Sequence, residues 1–154
     1  MSVEDVTRYA RPQPFEELDH TADAGVRVRG RTAEETLARL VLAFTELVTG
    51  GARVKSEETR VVEVEPGDWG LQAVDVLREL LFELETKRRV PEACRVERFD
   101  QETGARLRVE LGHFDASESG EGLVLKAVTW HAARFERDDE DRDAPWCAQI
   151  VFDV

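Results

Sequence analysis

The segment Asp19-His20-Thr21-Ala22-Asp23 sets two carboxylates and an imidazole within five residues. It lies at the join of two extended pieces, so its side chains project from a turn. Carboxylates on a turn converge readily on a hard cation such as calcium, which takes several oxygen ligands at about 2.3–2.6 Å. The same residues also suit a purely structural turn, in which Asp and His side chains bond nearby amides. The end of the chain bears on the choice. Ile150, Phe152 and Val154 fall on one face of a terminal strand, and Val151 and Asp153 on the other. Asp153 adjoins Val154 and its α-carboxylate, which crowds two anionic groups together. A cation bridging them to Asp23 relieves that repulsion. An acidic side chain at a strand end is also simply solvated, so both readings stand on the residues alone.

Other candidate chemistry is weaker. Asp139, Asp141 and Asp143 alternate as the first three ligands of an EF-hand do. The sixth position is Ala144 instead of Gly and the twelfth is Ile150 instead of Glu, so that motif fails. The run Glu136 to Asp143 therefore reads as a solvated loop. Lys126 and His131 sit in a strand with Trp130 between them. Lys126 suits contact with a phosphate or a partner's acid, or simply a head group in water. Trp130 reads as packing. Walker A, GxGxxG, GxSxG and HExxH signatures are absent. Ser117 and Ser119 have no histidine pattern beside them, so no nucleophile set can be assembled.

The elements that must position these residues are legible in part. Alternation over Gly25–Arg29 predicts a strand. Thr32 with Glu35 three residues on forms a capping box, which starts a helix. Leu37, Leu40, Val41, Phe44 and Val48 give that helix an apolar stripe, and Gly50-Gly51 end it. Arg60–Glu65 reads as a strand. Asp68 caps a second helix carrying Leu71, Val74, Leu77, Leu81 and Leu84, with Lys87-Arg88-Arg89 in its last turn and Pro91 stopping it. Arg95–Phe99 and Ala105–Leu111 flank a hairpin turn. Further strands are predicted from about Leu123 to His131 and from Trp146 to the end. Residues 1–13 read as a flexible leader, and 14–154 as one domain. The order points to an α+β fold, with two helices laid on a largely antiparallel sheet.

The charge balance, 21 Lys and Arg against 33 Asp and Glu, gives −12. That argues against direct nucleic-acid binding, which needs a basic face for phosphates. No apolar run is long enough to span a membrane, and the first ten residues lack a signal-peptide core. Cys94 and Cys147 form no metal or redox spacing and read as reduced, which suits a cytoplasmic protein.

Several of these stretches together resemble the archease family. They are Phe15–Gly30 around the Asp19–Asp23 segment, the Thr32–Glu35 helix start, Asp75–Leu84, Lys126–His131 and Ile150–Val154. The pairing of that five-residue segment with an acid one residue before the chain end makes the likeness specific. The resemblance implies an α+β fold, a largely antiparallel curved sheet or open barrel with two α-helices packed against it, and a cofactor protein for an RtcB-type RNA ligase of tRNA splicing and RNA repair. It implies promotion of ligase guanylylation and of multiple turnover, without catalysis by the chain itself. It also implies a divalent cation, calcium, held by Asp23, Asp153 and Val154, with Asp19, His20 and Lys126 facing the ligase. Trp130 departs from the family's commoner tyrosine, Val154 from its commoner isoleucine, and the acidic loop is unusual. The alternative is a metal-dependent hydrolase using Asp23, Asp153 and His20 around an activated water. A general chaperone needs exposed apolar patches, which this charge-rich sequence does not suggest.

The failed EF-hand register gives a first prediction. Replacing the loop aspartates 138, 139, 141 and 143 by Ser should shift the melting temperature little and leave calcium affinity unchanged, as thermal unfolding and calorimetry would report.

Overall fold

Both long helices begin where the sequence supplies a cap. Thr32 Oγ1 accepts a hydrogen bond from the Glu35 amide at 3.0 Å and opens α1 (Ala33–Thr49). The return bond of the box differs from expectation. Glu35 Oε1 accepts from the Arg31 amide, one residue before the cap, and Oε2 from the Arg31 guanidinium. Burial alone would push the Glu35 carboxyl up, but these donors and Arg39 hold it below the ordinary range. Gly50, in the left-handed conformation at φ 64°, ends the helix. Asp68 accepts from the Leu71 amide at 2.7 Å and opens α2 (Trp69–Lys87). Arg88 takes the left-handed position after it and donates its amide to the Leu84 carbonyl. Only Lys87 of the basic cluster lies in the last turn. Arg89 already begins a strand, and Pro91 lies inside it at a register shift.

The computed structural model describes residues 6–19, 23–119 and 121–154. Their strands are β1 (Arg8–Ala10), β2 (Glu16–Asp19), β3 (Asp23–Gly30), β4 (Glu58–Val64), β5 (Arg89–Asp100), β6 (Gly104–His113), β7 (Ala127–Arg137) and β8 (Trp146–Asp153). A short α3 (Ala116–Ser119) follows β6. Every pairing is antiparallel. The strands divide into two four-stranded sheets, ordered β1-β5-β6-β4 and β2-β3-β8-β7, neither closed. The architecture is α+β, as expected, with two sheets where the sequence pattern suggested one layer.

One apolar core joins both sheets through the helices. The predicted stripe of α1 is buried, and so are Leu42, Leu47, Thr36 and Thr45 on its other sides. A helix covered all round needs a wall on each side. α1 touches β1 and β5 of one sheet and β3 and β8 of the other.

Three boundaries differ from the sequence reading. The first concerns the leader. Its residues Arg8–Ala10 pair with β5, and Arg11 is buried. The Arg11 guanidinium bonds Glu46 at 2.9 Å, Glu92 at 2.6 Å and Thr49 Oγ1 at 3.0 Å. A three-residue strand leaves no periodicity to read, and the acids that hold Arg11 come from distant segments. The second concerns β7, which starts at Ala127 and runs to Arg137, with broken register between Thr129 and Arg134. The third concerns the acidic loop. Asp138 accepts from Arg29 at 2.8 Å, and its carboxyl lies below the ordinary range, held down by the Glu140 amide and then by Arg29. Asp138 is therefore an anchor, and the expected indifference to Ser applies to Asp139, Asp141 and Asp143, which are exposed.

Arg11→Ala leaves Glu46 and Glu92 facing each other without their shared cation. Thermal or urea unfolding should show a loss of about 3 kcal/mol, and Arg53→Ala, which removes an exposed partner of Glu92, should cost far less.

Candidate functional site

The first residue of β3 and the last of β8 are register partners, Asp23 opposite Asp153. The alternation of the two strands explains the placement. Ala24, Val26 and Val28 face the core with Phe152, Ile150 and Ala148 opposite them. Asp23 and Asp153 therefore share the opposite face of the sheet, with Cβ atoms about 4.5–5.5 Å apart for such partners. Asp23 is half-buried and Asp153 exposed. Val154 follows at the sheet's end, exposed.

On its other side Asp153 pairs with Ala127 of β7, a neutral neighbour. The Lys126 amide donates to the Asp153 carbonyl at 2.7 Å. Lys126 thus lies just before the strand and not within it, and its side chain lines an apolar groove against α2. The Asp153 main chain is held from both sides, so its carboxylate has a fixed origin.

The other sequence-predicted residues fall as follows. Asp19 ends β2, its backbone opposite Ala24, so the five-residue segment is the β2–β3 connection, as read. His20 lies outside the described residues, as do Thr21 and Ala22. His131 is exposed in the irregular part of β7. Trp130 is 47% exposed, with the Arg78 guanidinium 5.8 Å from its ring centroid, so its packing is one-sided. Arg78 also donates to the Val128 carbonyl, covering part of the β7 edge. Sequence reasoning passed over Arg78, whose helical position announces no partner. A cleft of about 500 Å³ between α2, β4 and β5 has mixed charge from Asp75, Arg78, Glu79 and Arg98. None of the corner residues lines it.

Among the described residues, no group of three or more His, Cys, Asp or Glu side chains converges. The corner supplies two hard carboxylates on one face. They suit a cation that prefers oxygen, with its other ligands from main chain, water or a neighbour.

The model of the Archease protein family (MTH1598/TM1083) matches residues 15–154. A protein archease of Methanopyrus kandleri is 33% identical over 143 residues, covering 92% of this chain and 99% of that protein. One of Thermococcus gammatolerans is 33% identical over 144 residues, covering 91% and 98%. The solution structure of Methanobacterium thermoautotrophicum protein 1598 superposes with a TM-score of 0.72 at 30% identity, covering 91% of this chain and 98% of that one. A Thermotoga maritima structure, described as an archease and possible chaperone, shares the fold at a TM-score of 0.59 and 23% identity, covering 95% and 99%.

Like charges directly opposite each other on a sheet destabilise it. In low salt without divalent cations, Asp153→Asn should raise stability by about 0.5 kcal/mol, read by thermal unfolding. A lower melting temperature would show that the Asp153 carboxylate has a local partner.

Proposed function

The chain belongs to the archease family, and from that premise we propose that it activates an RtcB-type RNA ligase. In this reading it promotes ligase guanylylation and multiple turnover in tRNA splicing or RNA repair, and catalyses no step itself. The observation that carries the reading is the pairing of Asp23 with Asp153 at a sheet end, within a match that spans residues 15–154. Two carboxylates kept opposite each other have a reason to be there if they hold a cation in common.

Asp23, Asp153 and Val154 are the residues that would hold it, and calcium suits their oxygen chemistry. When bound, the cation supplies a concentrated positive charge at an otherwise acidic corner. Asp23 and Asp153 would hold that charge at the end of the sheet, on the face opposite Ala24 and Phe152. Lys126 adds a second, flexible cation beside it, and Asp19 and His20 border it in sequence. The net charge of −12 favours approach to the basic surface a ligase presents for RNA. The cytoplasm, where such ligation takes place, is the proposed location. No helix of the described residues is long and apolar enough to cross a membrane.

Two measurements test this. Guanylylation and product per ligase should rise when the chain is added to substoichiometric cognate ligase with excess RNA ends and GTP. Asp23→Ala and Asp153→Ala should stay folded and fail to stimulate. No stimulation by the wild type overturns the function; full stimulation by both variants overturns the site. Calcium at a hundred times its Kd should stabilise the wild type by about 2.7 kcal/mol and Asp153→Ala by much less.

A further inference from the structure

The exposed apolar side chains are unevenly placed. Phe82 is 61% exposed on α2, Val124 69% and Leu123 37% just before β7, and Trp130 47% within it. Sequence reading did not anticipate this patch, because its residues come from separate segments that only the fold brings near one another. Leu123 and Val124 line a groove with α2, whose Arg78 stands over Trp130, beside the seam where α2 packs on β7. A groove of about 380 Å³ lies in this region, with Leu81 and Leu84 of α2, Phe114 and Val124 among its walls. Phe82 stands three residues before Glu85 of the groove, one helical turn away on the same side of α2.

The polar groups of this groove are Arg88, Lys126 and Glu85, two cations to one anion in a chain of net −12. Arg88 reaches an acid only at 3.8 Å, on Asp115, and Lys126 enters no ion pair among the described residues. The groove therefore offers apolar walls with positive charge at the rim. That complements an apolar segment that carries a carboxylate. It is also continuous with the metal corner, because Lys126 lines the groove while its amide holds the Asp153 carbonyl.

We infer that the groove between α2 and residues 123–126 is a docking site for an apolar segment of the partner ligase that bears an acidic residue, seated between Val124 and α2 with its carboxylate on Lys126 and Arg88. This rests on the ligase-activating reading above and assigns that activator its binding surface. A partner that brings its active site to the Asp23–Asp153 corner must cover the surface beside it, and the groove is the apolar part of that surface. Exposed aromatic and arginine side chains are the types that carry interface energy. Sealing Val124, Phe82 and Trp130 from water would anchor the complex, while the corner acts on the chemistry.

The experiment uses the whole chain and its cognate ligase. Val124→Asp alters an exposed side chain and should leave the melting temperature unchanged. By calorimetry it should weaken ligase binding at least tenfold, and so should Lys126→Glu. A photo-crosslinking residue at position 82 should capture a ligase peptide that contains apolar residues and Asp or Glu. Binding by Val124→Asp within twofold of the wild type, or capture of a basic peptide, overturns the groove assignment even if Asp153→Ala abolishes stimulation. A concentration-dependent dimer of the isolated chain that Val124→Asp disperses would give the groove to a second copy and overturn it too. If the wild type neither binds nor stimulates the ligase, the proposed function falls first, and the groove assignment with it.

Discussion

The requirement to cover α1 on every side organises this molecule. That helix runs for 17 residues and buries nearly all of them, including four polar ones, Glu35, Thr36, Thr45 and Thr49. Each buried polar group must find a partner within the protein. Thr45 donates to the Pro91 carbonyl of β5, Thr36 to the Thr32 carbonyl, and Glu35 collects Arg31 and Arg39. Such a helix cannot rest on one face of one sheet. The β1–β5 side closes one flank and β3 with β8 closes another. The end-to-end pairing of β3 with β8 brings residue 23 to residue 153. The carboxylate corner is thus a consequence of how α1 is walled in.

Arg11 belongs to the same constraint. The last turn of α1 presents Glu46 and Thr49, and Arg11 ties both to Glu92 of β5. Its guanidinium is fully enclosed, and the planar fork lets one cation serve several acceptors without competing for geometry. β1 is only three residues long and would contribute little by pairing alone. The arginine that follows it makes this short strand part of the core.

What the sequence disclosed follows from the range of the forces involved. Caps and stops act over three or four residues, so Thr32, Gly50 and Asp68 were legible, and the helices they bound stand where predicted. The stripe of α1 was legible as amphipathic, but its burial on both sides depends on strands far along the chain. Arg11 looked like a leader residue for the same reason. At the site, Asp23 was visible as an acid of a turn segment and Asp153 as an acid out of keeping with its strand, and the family likeness joined them. Their direct opposition depends on β3–β8 register, which no local pattern states. The exposed residues Phe82, Val124 and Trp130 were hidden more completely, because they come from α2, the segment before β7 and β7 itself, and from no periodicity within any one of them.

The surfaces of the two sheets show why the corner stands apart. Elsewhere, charges that face each other across strands are matched. Glu63 opposes Arg106 and binds it, and Glu16 opposes Arg27. Like charges do meet, at Arg8 opposite Arg95, Arg95 opposite Arg108 and Arg98 opposite Arg106. Glu97 serves Arg106 and Arg108, and Glu110 serves Arg95 together with Arg8. In each of these pairs at least one arginine has a glutamate partner, and Glu110 bridges Arg8 and Arg95 directly. Asp23 opposite Asp153 differs, since among the described residues neither carboxylate enters an ion pair and Ala127 on the far side of Asp153 is neutral. A like-charged pair without a counter-ion is a local inconsistency of the kind found at functional sites, where stability is given up for a task. A bound divalent cation would stand to the two aspartates as Glu110 stands to Arg8 and Arg95. The bridge would then come from outside the chain, and its occupancy would be open to the partner's influence.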